Sequence, residues 1–368
     1  MDVGQAYVKS SNEGNAAGQA GVGRLDSNSS YLGFKGVEDL GNGLKAVFQY
    51  ETGFAADTAG ALAGGRDTYL GLTGGFGTAL AGNLTHPLRA MMAKTELMPG
   101  AAGIGTMASL TGTVLGVQTG ADNRAANALA YVSPSFSGFS ATVAYVNGER
   151  KDQNTAAAGA ADNSRNTKAW QIAGQYENGP LFAAIGYHSA KDTGTALTLN
   201  QGTGAITAIT IGSNSNVDTS ILRLAGAYTL PTKTKLTALY DRTKSDVAIT
   251  LINPAAAGAT GEVKRNAWYV GAAQEFGATT LGVEYGRSSD VSVSNTKLDQ
   301  TDANIWSLLA THSLSKRTSV HARFSKLSNG DLNATSFYNN SVGANAAAVS
   351  PLAGATVTGY MVGLRHAF

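Results

Sequence analysis

Apolar and polar residues alternate along much of this chain, in segments of about ten residues. The segment Leu44–Glu51 places Leu, Ala, Phe and Tyr on one face and Lys, Val, Gln and Glu on the other. The same period of two begins again at Leu181, Leu281 and Val320. A period of two predicts β-strands, and a tilted strand of this length can cross a bilayer. A soluble β-sandwich with its apolar face inward would alternate in the same way, so this pattern alone leaves both folds open.

Short and long connections alternate between the predicted strands. The short links are Gly74–Gly77, Pro134–Gly138, Glu177–Pro180 and Gln274–Ala278. The long links include Asn147–Asn166, Lys191–Val217 and Ser328–Ala355. Transmembrane barrels have short periplasmic turns at one rim and long extracellular loops at the other, so this asymmetry favours a barrel. Counting the segments gives about sixteen strands, which would use residues 1–368 as one barrel domain.

Aromatic residues gather at the ends of the predicted strands. Those beside long loops are Trp170, Trp268, Trp306, Tyr145, Tyr187 and Tyr285. Those beside short turns are Tyr176, Tyr228 and Phe276. Amphipathic rings are best accommodated at the two membrane–water interfaces, so these two sets predict an outer and an inner aromatic girdle. Core aromatics of a soluble β protein are the alternative interpretation.

Composition supports an all-β chain and excludes several kinds of function. There are 46 Gly and 7 Pro residues, and no apolar run approaches the roughly 18 residues of a membrane-spanning helix. The absence of Cys excludes disulfides, thiolate metal sites and a Cys nucleophile. Because 27 Lys and Arg residues nearly balance 25 Asp and Glu residues, nucleic acid is not an expected partner.

No catalytic or cofactor motif is evident in the sequence. The five histidines, at positions 86, 188, 312, 321 and 366, are far apart and lack metal-ligand spacing, so no metal site is predicted. The glycine-rich segment Gly71–Gly82 lacks nucleotide-binding spacing and reads as a turn between strands. No Gly-x-Ser-x-Gly elbow occurs, although a triad assembled in space stays open. We therefore expect neither an enzyme nor a bound cofactor.

Several motifs, in order along the chain, resemble the general porins of beta-proteobacteria. They are Leu32–Ala46, Tyr69–Leu72 with Gly74–Gly77, Ser133–Phe139 and Leu314–Thr318. The resemblance implies a 16-stranded antiparallel transmembrane β-barrel with an inward-folded third loop, assembled as a homotrimer in the outer membrane of a Gram-negative bacterium. It also implies a passive diffusion channel for small hydrophilic solutes and ions. A plugged barrel acting as an adhesin or outer-membrane enzyme, and a soluble secreted β protein, are the competing hypotheses.

Both ends of the chain resemble this family. The last strand carries, on one face, Tyr360, Val362, Leu364, His366 and the terminal Phe368. This pattern resembles the C-terminal assembly signal of bacterial barrels, which implies the barrel-assembly machinery, outer-membrane lipid and lipopolysaccharide as partners. The segment from Asp2 to Val8 resembles the end of the family's first strand, so we expect the natural protein to have about eight more residues before it. That expectation leaves the closure of the barrel open, because unpaired strand edges are not tolerated in hydrocarbon.

The third loop, at about residues 84–126, is where the resemblance implies the pore constriction. The family carries three lumen arginines at positions that are Tyr31, Asn83 and Ala130 here. We therefore expect a constriction less arginine-rich than the family's, which admits neutral or aromatic solutes. The loop adds the candidates Arg89, Met91, Lys94, Glu96 and Arg124. The four methionines of the loop are expected to pack against the inner wall. They are Met91, already named, and Met92, Met98 and Met107.

Further charged residues fall on faces predicted to line the lumen. They are Lys35, Lys45, Glu51, Arg223, Glu284, Arg323 and Arg365. Five of these seven are basic, so they could steer anions towards the pore. Wall charges that only solvate the channel are the alternative.

Overall fold

The computed structural model describes residues 1–11, 21–57, 62–98, 103–152, 165–191, 195–201, 206–213, 218–251, 259–337 and 352–368. Long antiparallel strands account for most of these residues, with one α-helix, Pro87–Thr95 (α1), between them. No helix in these ranges has the length and apolar character needed to span a bilayer. The following description is therefore organised around the strands.

Sixteen strands form the wall within the described residues. They are β1 Asp2–Ser10, β2 in two pieces Val22–Ser27 and Tyr31–Gly41, β3 Leu44–Gly53, β4 Ala63–Gly74, β5 Gly77–Thr85, β6 Arg124–Val132, β7 Phe139–Asp152, β8 Arg165–Asn178, β9 Leu181–Lys191, β10 Thr219–Thr229, β11 Thr234–Leu251, β12 Ala259–Phe276, β13 Thr279–Ser288, β14 Ala303–Ser313, β15 Thr318–Asn329 and β16 Thr356–His366. Short hairpins in the connections, Thr195–Gln201 with Ile206–Ser213 and Val291–Val293 with Thr296–Leu298, lie outside this count.

Each wall strand pairs antiparallel with its neighbours in the sequence of strands. The last strand then pairs with the first, from Asp2 opposite Arg365 to Ser10 opposite Val357. The first piece of β2 pairs with β1 and the second piece with β3. The pairings therefore return to their starting point, which is the arrangement expected for a barrel.

The apolar faces of the strands point outward. In β9, Leu181, Ile185 and Tyr187 are 39–53% exposed, whereas Phe182 and His188 on the other face are buried. The same holds for β16, where Tyr360, Val362 and Leu364 are at least half exposed. A soluble sandwich requires the opposite orientation, with the apolar faces packed together. The predicted orientation of these faces towards lipid is thus confirmed.

The outer aromatic girdle lies where the sequence predicted it. Trp170, Trp268 and Trp306 are 38–51% exposed on the outward face, near the ends of strands that lead to long connections. The Tyr285 ring lies between the last two, with ring centroids 5.6 Å from Trp268 and 4.4 Å from Trp306. Rings clustered at one height define the membrane–water interface on this side.

The segment between β5 and β6 folds into the interior instead of away from it. It spans residues 86–123, which is narrower than the predicted 84–126 because Thr85 and Arg124 are already paired strand residues. It contains α1, a short 3₁₀ turn at Met107–Ser109 and a two-residue hairpin. We refer to residues 86–123 as the third loop.

Candidate pore constriction

Helix α1 packs against the inner face of the wall with its apolar side. Pro87 occupies the first turn, where a missing backbone N–H costs nothing, and Leu88, Met91 and Met92 are buried. Close contact depends on Gly186 in β9, because a Cβ there would lie 2.7 Å from Met91 Sδ and 2.9 Å from Leu88 Cδ1. The helix therefore lies against the wall and leaves free space on its other side.

One buried arginine fastens both ends of the third loop to the wall. Arg223 in β10 forms ion pairs with Asp122 near the end of the loop and with Asp241 in β11. Its Nη1 also donates to the Leu88 carbonyl at the start of the loop, at 2.8 Å. Asp241 in turn accepts a hydrogen bond from the Gly112 amide at 2.8 Å. We call Arg223, Asp122 and Asp241 the anchor cluster.

In the anchor cluster, Asp122 stays charged although it is buried. Asp122 is a loop residue, outside the spanning strands, and is fully buried. Burial alone would raise the pKa of the Asp122 carboxyl, but the adjacent Arg223 guanidinium outweighs it and holds that pKa below its usual value. The Asp122 carboxyl is therefore ionised at neutral pH and can keep its bidentate contact with Arg223.

A second arginine and a carboxyl pair hold the middle of the third loop. Arg265 in β12 donates to the Leu110 and Thr113 carbonyls, each at 2.9 Å. Glu96 accepts hydrogen bonds from the Met107 amide at 2.8 Å and also contacts Glu284 of β13. Burial raises the pKa of Glu96, which favours its uncharged form. Hydrogen bonds thus fix the loop to the wall along its whole described length.

A cavity of about 570 Å³ remains between the third loop and strands β1, β2, β4, β5, β6 and β16. Four arginines line it, namely Arg66, Arg89, Arg124 and Arg365, together with Tyr31 and Glu96. The Arg66 guanidinium lies 4.1 Å above the centre of the Tyr31 ring. Arg66 Nε is 3.2 Å from Glu51, and Arg124 Nε is 2.9 Å from Asp67. The lining is therefore rich in guanidinium groups, two of which have carboxylate partners.

The structure places the predicted constriction residues in three different settings. Tyr31, Arg89, Glu96 and Arg124 lie along the cavity, and the Asn83 side chain lies next to it, donating to the Arg66 carbonyl at 2.6 Å. Ala130 is not among the cavity residues, but it lies half-buried in β6. Met91 and Lys94 lie elsewhere, because Met91 is buried against the wall and Lys94 pairs with Glu177 at 2.8 Å.

The predicted lumen-wall residues also separate into two groups. Arg365 lines the cavity, Glu51 pairs with Arg66 beside it, and Lys35 and Lys45 are exposed. Arg223, Glu284 and Arg323 are 0–2% exposed, so these three side chains have almost no access to channel water. They lie on the inner face as predicted, but Arg223 and Glu284 bond directly to the third loop.

Arg66 is the cavity residue that the sequence pattern missed. Strict alternation places Arg66 on the same face as Leu70 and Leu72, which point outward. However, Thr52 pairs with Gly65 and Tyr50 with Thr68, so Arg66 and Asp67 together stand opposite Glu51 alone. Such a β-bulge interrupts the alternation and redirects a side chain. Its only sequence signal was the glycine pair before Arg66.

Comparison with known proteins agrees with this geometry. The profile of the Gram-negative porin family matches residues 1–332. The chain belongs to this family. The porin is 29% identical to outer membrane porin protein 32 of Delftia acidovorans, over 100% of this chain and 92% of that one. It is 28% identical to an outer membrane porin of Bordetella pertussis, over 80% and 76% of the two chains.

A solved structure shows the same fold. The anion-selective porin from Comamonas acidovorans matches with a TM-score of 0.72 and 25% identity, covering 100% of this chain and 97% of that one. Family, relatives and fold together identify the chain as an outer-membrane porin, located in the bacterial outer membrane. The predicted β-barrel fold, location and channel function are confirmed.

Proposed function

We propose that solutes cross this porin by passive diffusion through the arginine-lined cavity, with no covalent step, and that anions cross more readily than cations. The observation that carries this proposal is the set of four guanidinium groups in one cavity. The carboxyl side chains that line the same cavity are those of Asp2 and Glu96. Asp2 lies 3.0 Å from His321, and burial favours the uncharged form of Glu96. A positive lining raises the local concentration of anions and excludes cations.

The name of the Comamonas acidovorans relative supports the same preference, because that porin is described as anion-selective. The family resemblance implies lumen arginines at three positions that are Tyr31, Asn83 and Ala130 in this chain. Arg66 of β4 places its guanidinium over the Tyr31 ring, so positive charge is supplied from a strand two positions away from that of Tyr31. We therefore expect an anion preference weaker than that of a channel with unpaired arginines.

A second candidate is a channel that favours neutral or aromatic solutes. One observation favours it, which is the pairing of Arg66 with Glu51 and of Arg124 with Asp67. These pairs reduce the positive charge that the lining presents to a solute. Ion selectivity separates the two candidates, because only the first requires a reversal potential of the anionic sign.

The test is a planar-bilayer recording in asymmetric potassium chloride. Wild-type protein is expected to give steady ohmic steps and a reversal potential that shows chloride preference. Arg365→Glu reverses one charge in the cavity and is expected to lower the chloride-to-potassium permeability ratio severalfold. Arg242→Glu, on the outward face, is the matched control and leaves the ratio unchanged. A wild-type channel without chloride preference favours the second candidate, and a barrel without ohmic steps favours the plugged adhesin or enzyme.

We also propose that the porin is a homotrimer, as the family resemblance implies. An exposed apolar outer wall gives each subunit a surface that either lipid or another subunit can cover. Native mass spectrometry of detergent-extracted protein would show a mass of three chains of 37.6 kDa. A mass of one chain under the same conditions contradicts the proposal.

A further inference from the structure

A row of apolar residues crosses the inner wall between the cavity and the rim of short turns. It runs over strands β2–β7, and neighbouring members are register partners on adjacent strands. The six residues are Val37, Val47, Gly71, Leu80, Ala130 and Ala144. We call them the apolar row. Because register partners stand side by side on one face of a sheet, the row is continuous.

The apolar row faces the lumen. Val47 shares its strand face with Gln49, two residues away, because side chains alternate between the two faces. Gln49 Nε2 donates at 2.7 Å to Glu51, which lies beside the cavity. The row is therefore on the same face as the residues around the cavity. Val37 is 69% exposed there, and Val47 and Leu80 are half-buried, so solutes in the lumen can contact the row.

Lys35 lies between the apolar row and the cavity on β2. Gly33 lines the cavity, and Lys35 and Val37 follow it at intervals of two residues, or about 7 Å each, on the same face. Lys35 is exposed, and none of the carboxylates in the described part of the chain forms an ion pair with it. Its charge is therefore available to a solute.

An aromatic ring lies beside Lys35 and the apolar row. Gln49 is the register partner of both Lys35 and Tyr69. Tyr69 Oη donates to Gln49 Oε1 at 3.1 Å, so the Tyr69 ring leans towards β3 and Lys35. A Cβ at Gly71 would lie 2.6 Å from Leu80 Cδ2, so the Leu80 side chain covers Gly71, two residues along the strand from Tyr69. A cation, a ring and aliphatic side chains thus face one part of the lumen.

We propose that this part of the lumen binds aromatic carboxylates, with the carboxylate on Lys35 and the ring between Tyr69 and the aliphatic side chains of the apolar row. One interval of two residues along a strand is about 7 Å, which is about the length of benzoate. Offset contact between aromatic rings favours binding beyond the area that it covers. This inference rests on the proposed function, because anions that pass the cavity reach Lys35 next. It narrows the class of solute from anions in general to anions with an apolar body.

Neither part of this site is strong alone. A single solvent-exposed ion pair contributes little, because water screens it. Coverage of one methylene group favours binding by about fourfold, and the benzoate ring covers several groups that are partly exposed. The combination distinguishes an aromatic carboxylate from acetate, which lacks the ring, and from benzamide, which lacks the charge.

The experiment measures the benzoate concentration that halves the chloride current of the wild-type channel in a planar bilayer. Acetate and benzamide are the control solutes. We expect benzoate to act at a concentration about tenfold below that of either control, because only benzoate uses both parts of the site. Equal inhibition by benzoate and acetate, or by benzoate and benzamide, overturns the proposal.

Substitutions in the apolar row test the contact with the ring. Val47→Thr keeps the shape of the side chain and adds a hydroxyl group, so it should raise the half-inhibiting benzoate concentration about threefold. With Leu80→Asn in addition, the rise should be about tenfold. Val132→Thr is the matched control, because Val132 lies opposite Thr78 and Thr142, outside the row and nearer the rim, and it should leave this concentration unchanged. Unchanged inhibition of Val47→Thr/Leu80→Asn by benzoate counts against the site.

Lys35→Gln tests the contact with the carboxylate and should make benzoate act like benzamide. Its matched control is Lys45→Gln, because Lys45 lies on the same face but stands opposite Asp39, which offsets its charge. This control should keep the benzoate inhibition of wild type. Wild-type inhibition in Lys35→Gln would contradict the role of Lys35 and with it the proposal.

Binding is also measured without current, by saturation-transfer NMR of benzoate with the detergent-solubilised porin. This readout separates the site from the proposed anion preference. A channel without chloride preference that still binds benzoate refutes the preference and keeps the site, whereas a chloride-selective channel that does not bind benzoate refutes the site alone. Variants with the single-channel conductance of wild type are folded, so a loss of binding in them reports the lost contact.

Discussion

The lumen of this porin has two unlike sides that use the same residue type differently. On one side, Arg223 and Arg265 are 0–2% exposed and hold the third loop against strands β8–β13. On the other side, Arg66 and Arg124 line a cavity and are partly accessible to water. Buried guanidinium groups position the loop, and accessible ones act on solutes. Inward orientation on a strand therefore does not determine the role of an arginine.

The difference follows from the cost of burying charge. A buried ion pair gains little net stability, but removal of one partner leaves an uncompensated charge and costs several kcal/mol. The anchor cluster is thus poised to favour one loop position strongly over others. Pairs beside the cavity are screened by water and contribute little to stability. The predictions below test this contrast, beginning with the largest expected effect.

Arg223→Met should have the largest effect, because it leaves Asp122 and Asp241 buried without their cation. We expect a loss of about 3–5 kcal/mol in the free energy of unfolding. The third loop should also leave the wall, which gives larger and noisier single-channel currents. Denaturant titration and bilayer recording measure the two effects.

The control for this variant is Arg223→Met/Asp122→Asn/Asp241→Asn, which removes all three charges. It should recover most of the lost stability, since no buried charge is left unpaired. The noisy currents should remain, because the directional contacts of the guanidinium are still missing. Equal stability of Arg223→Met and wild type would show that the anchor cluster does not position the loop.

Gly112→Ala tests the loop side of the same cluster and should have the next largest effect. Gly112 has a φ of +60°, and a Cβ there would overlap the Asp122 carboxylate. We expect a loss of about 2–4 kcal/mol, from the left-handed backbone and the clash together. Gly120→Ala is the matched control in the same loop, with φ +88° and no atom within 4 Å of the added Cβ. Its loss, about 1–2 kcal/mol, reports the backbone cost alone.

Currents distinguish the two glycine variants as well. Gly112→Ala should add noise because it separates Asp122 from Arg223, whereas Gly120→Ala should leave the currents quiet. Identical currents and equal stability losses in the two variants would mean that the Asp122 contact is unimportant. That result would remove the distinction between the side of the lumen where the third loop is held against the wall and the side that contains the cavity.

Much of this fold could be predicted from local sequence. A strand such as Leu181–Lys191 alternates because one face meets lipid and the other meets the interior, and both environments leave a mark on every second residue. The connection lengths predicted which rim of the barrel is periplasmic and which is extracellular, because short and long links gather at opposite rims. These signals come from neighbouring residues, so they survive without knowledge of the tertiary structure.

The candidate site could be predicted only in part. Arg66 was missed because a bulge in β4 changes the face of a residue without a local apolar signal. Arg223 was correctly predicted to point inward, but its burial depends on the path of a loop about a hundred residues earlier in the chain, since Asp122 lies 101 positions away. Contacts at such separation leave no periodic pattern in the sequence.

Glu96→Gln should have the smallest effect on stability, on the side of the lumen where the third loop is held against the wall. Burial raises the pKa of Glu96, so its protonated form stabilises the fold; this contribution is present below the pKa of the unfolded chain and is lost as pH rises through the folded pKa. Glutamine keeps an uncharged hydrogen-bonding group and has no proton to lose. We expect the variant to match wild type in acid and to exceed its unfolding free energy by about 1 kcal/mol at alkaline pH. Asp122→Asn should show the opposite pH dependence. The pKa of Asp122 is lowered in the folded chain, so its ionised form stabilises the fold above the pKa of the unfolded chain, and this stabilisation is lost as pH falls through the folded pKa. Denaturant titrations at several pH values measure both, and parallel pH profiles for wild type and Glu96→Gln would contradict a protonated Glu96 at the wall.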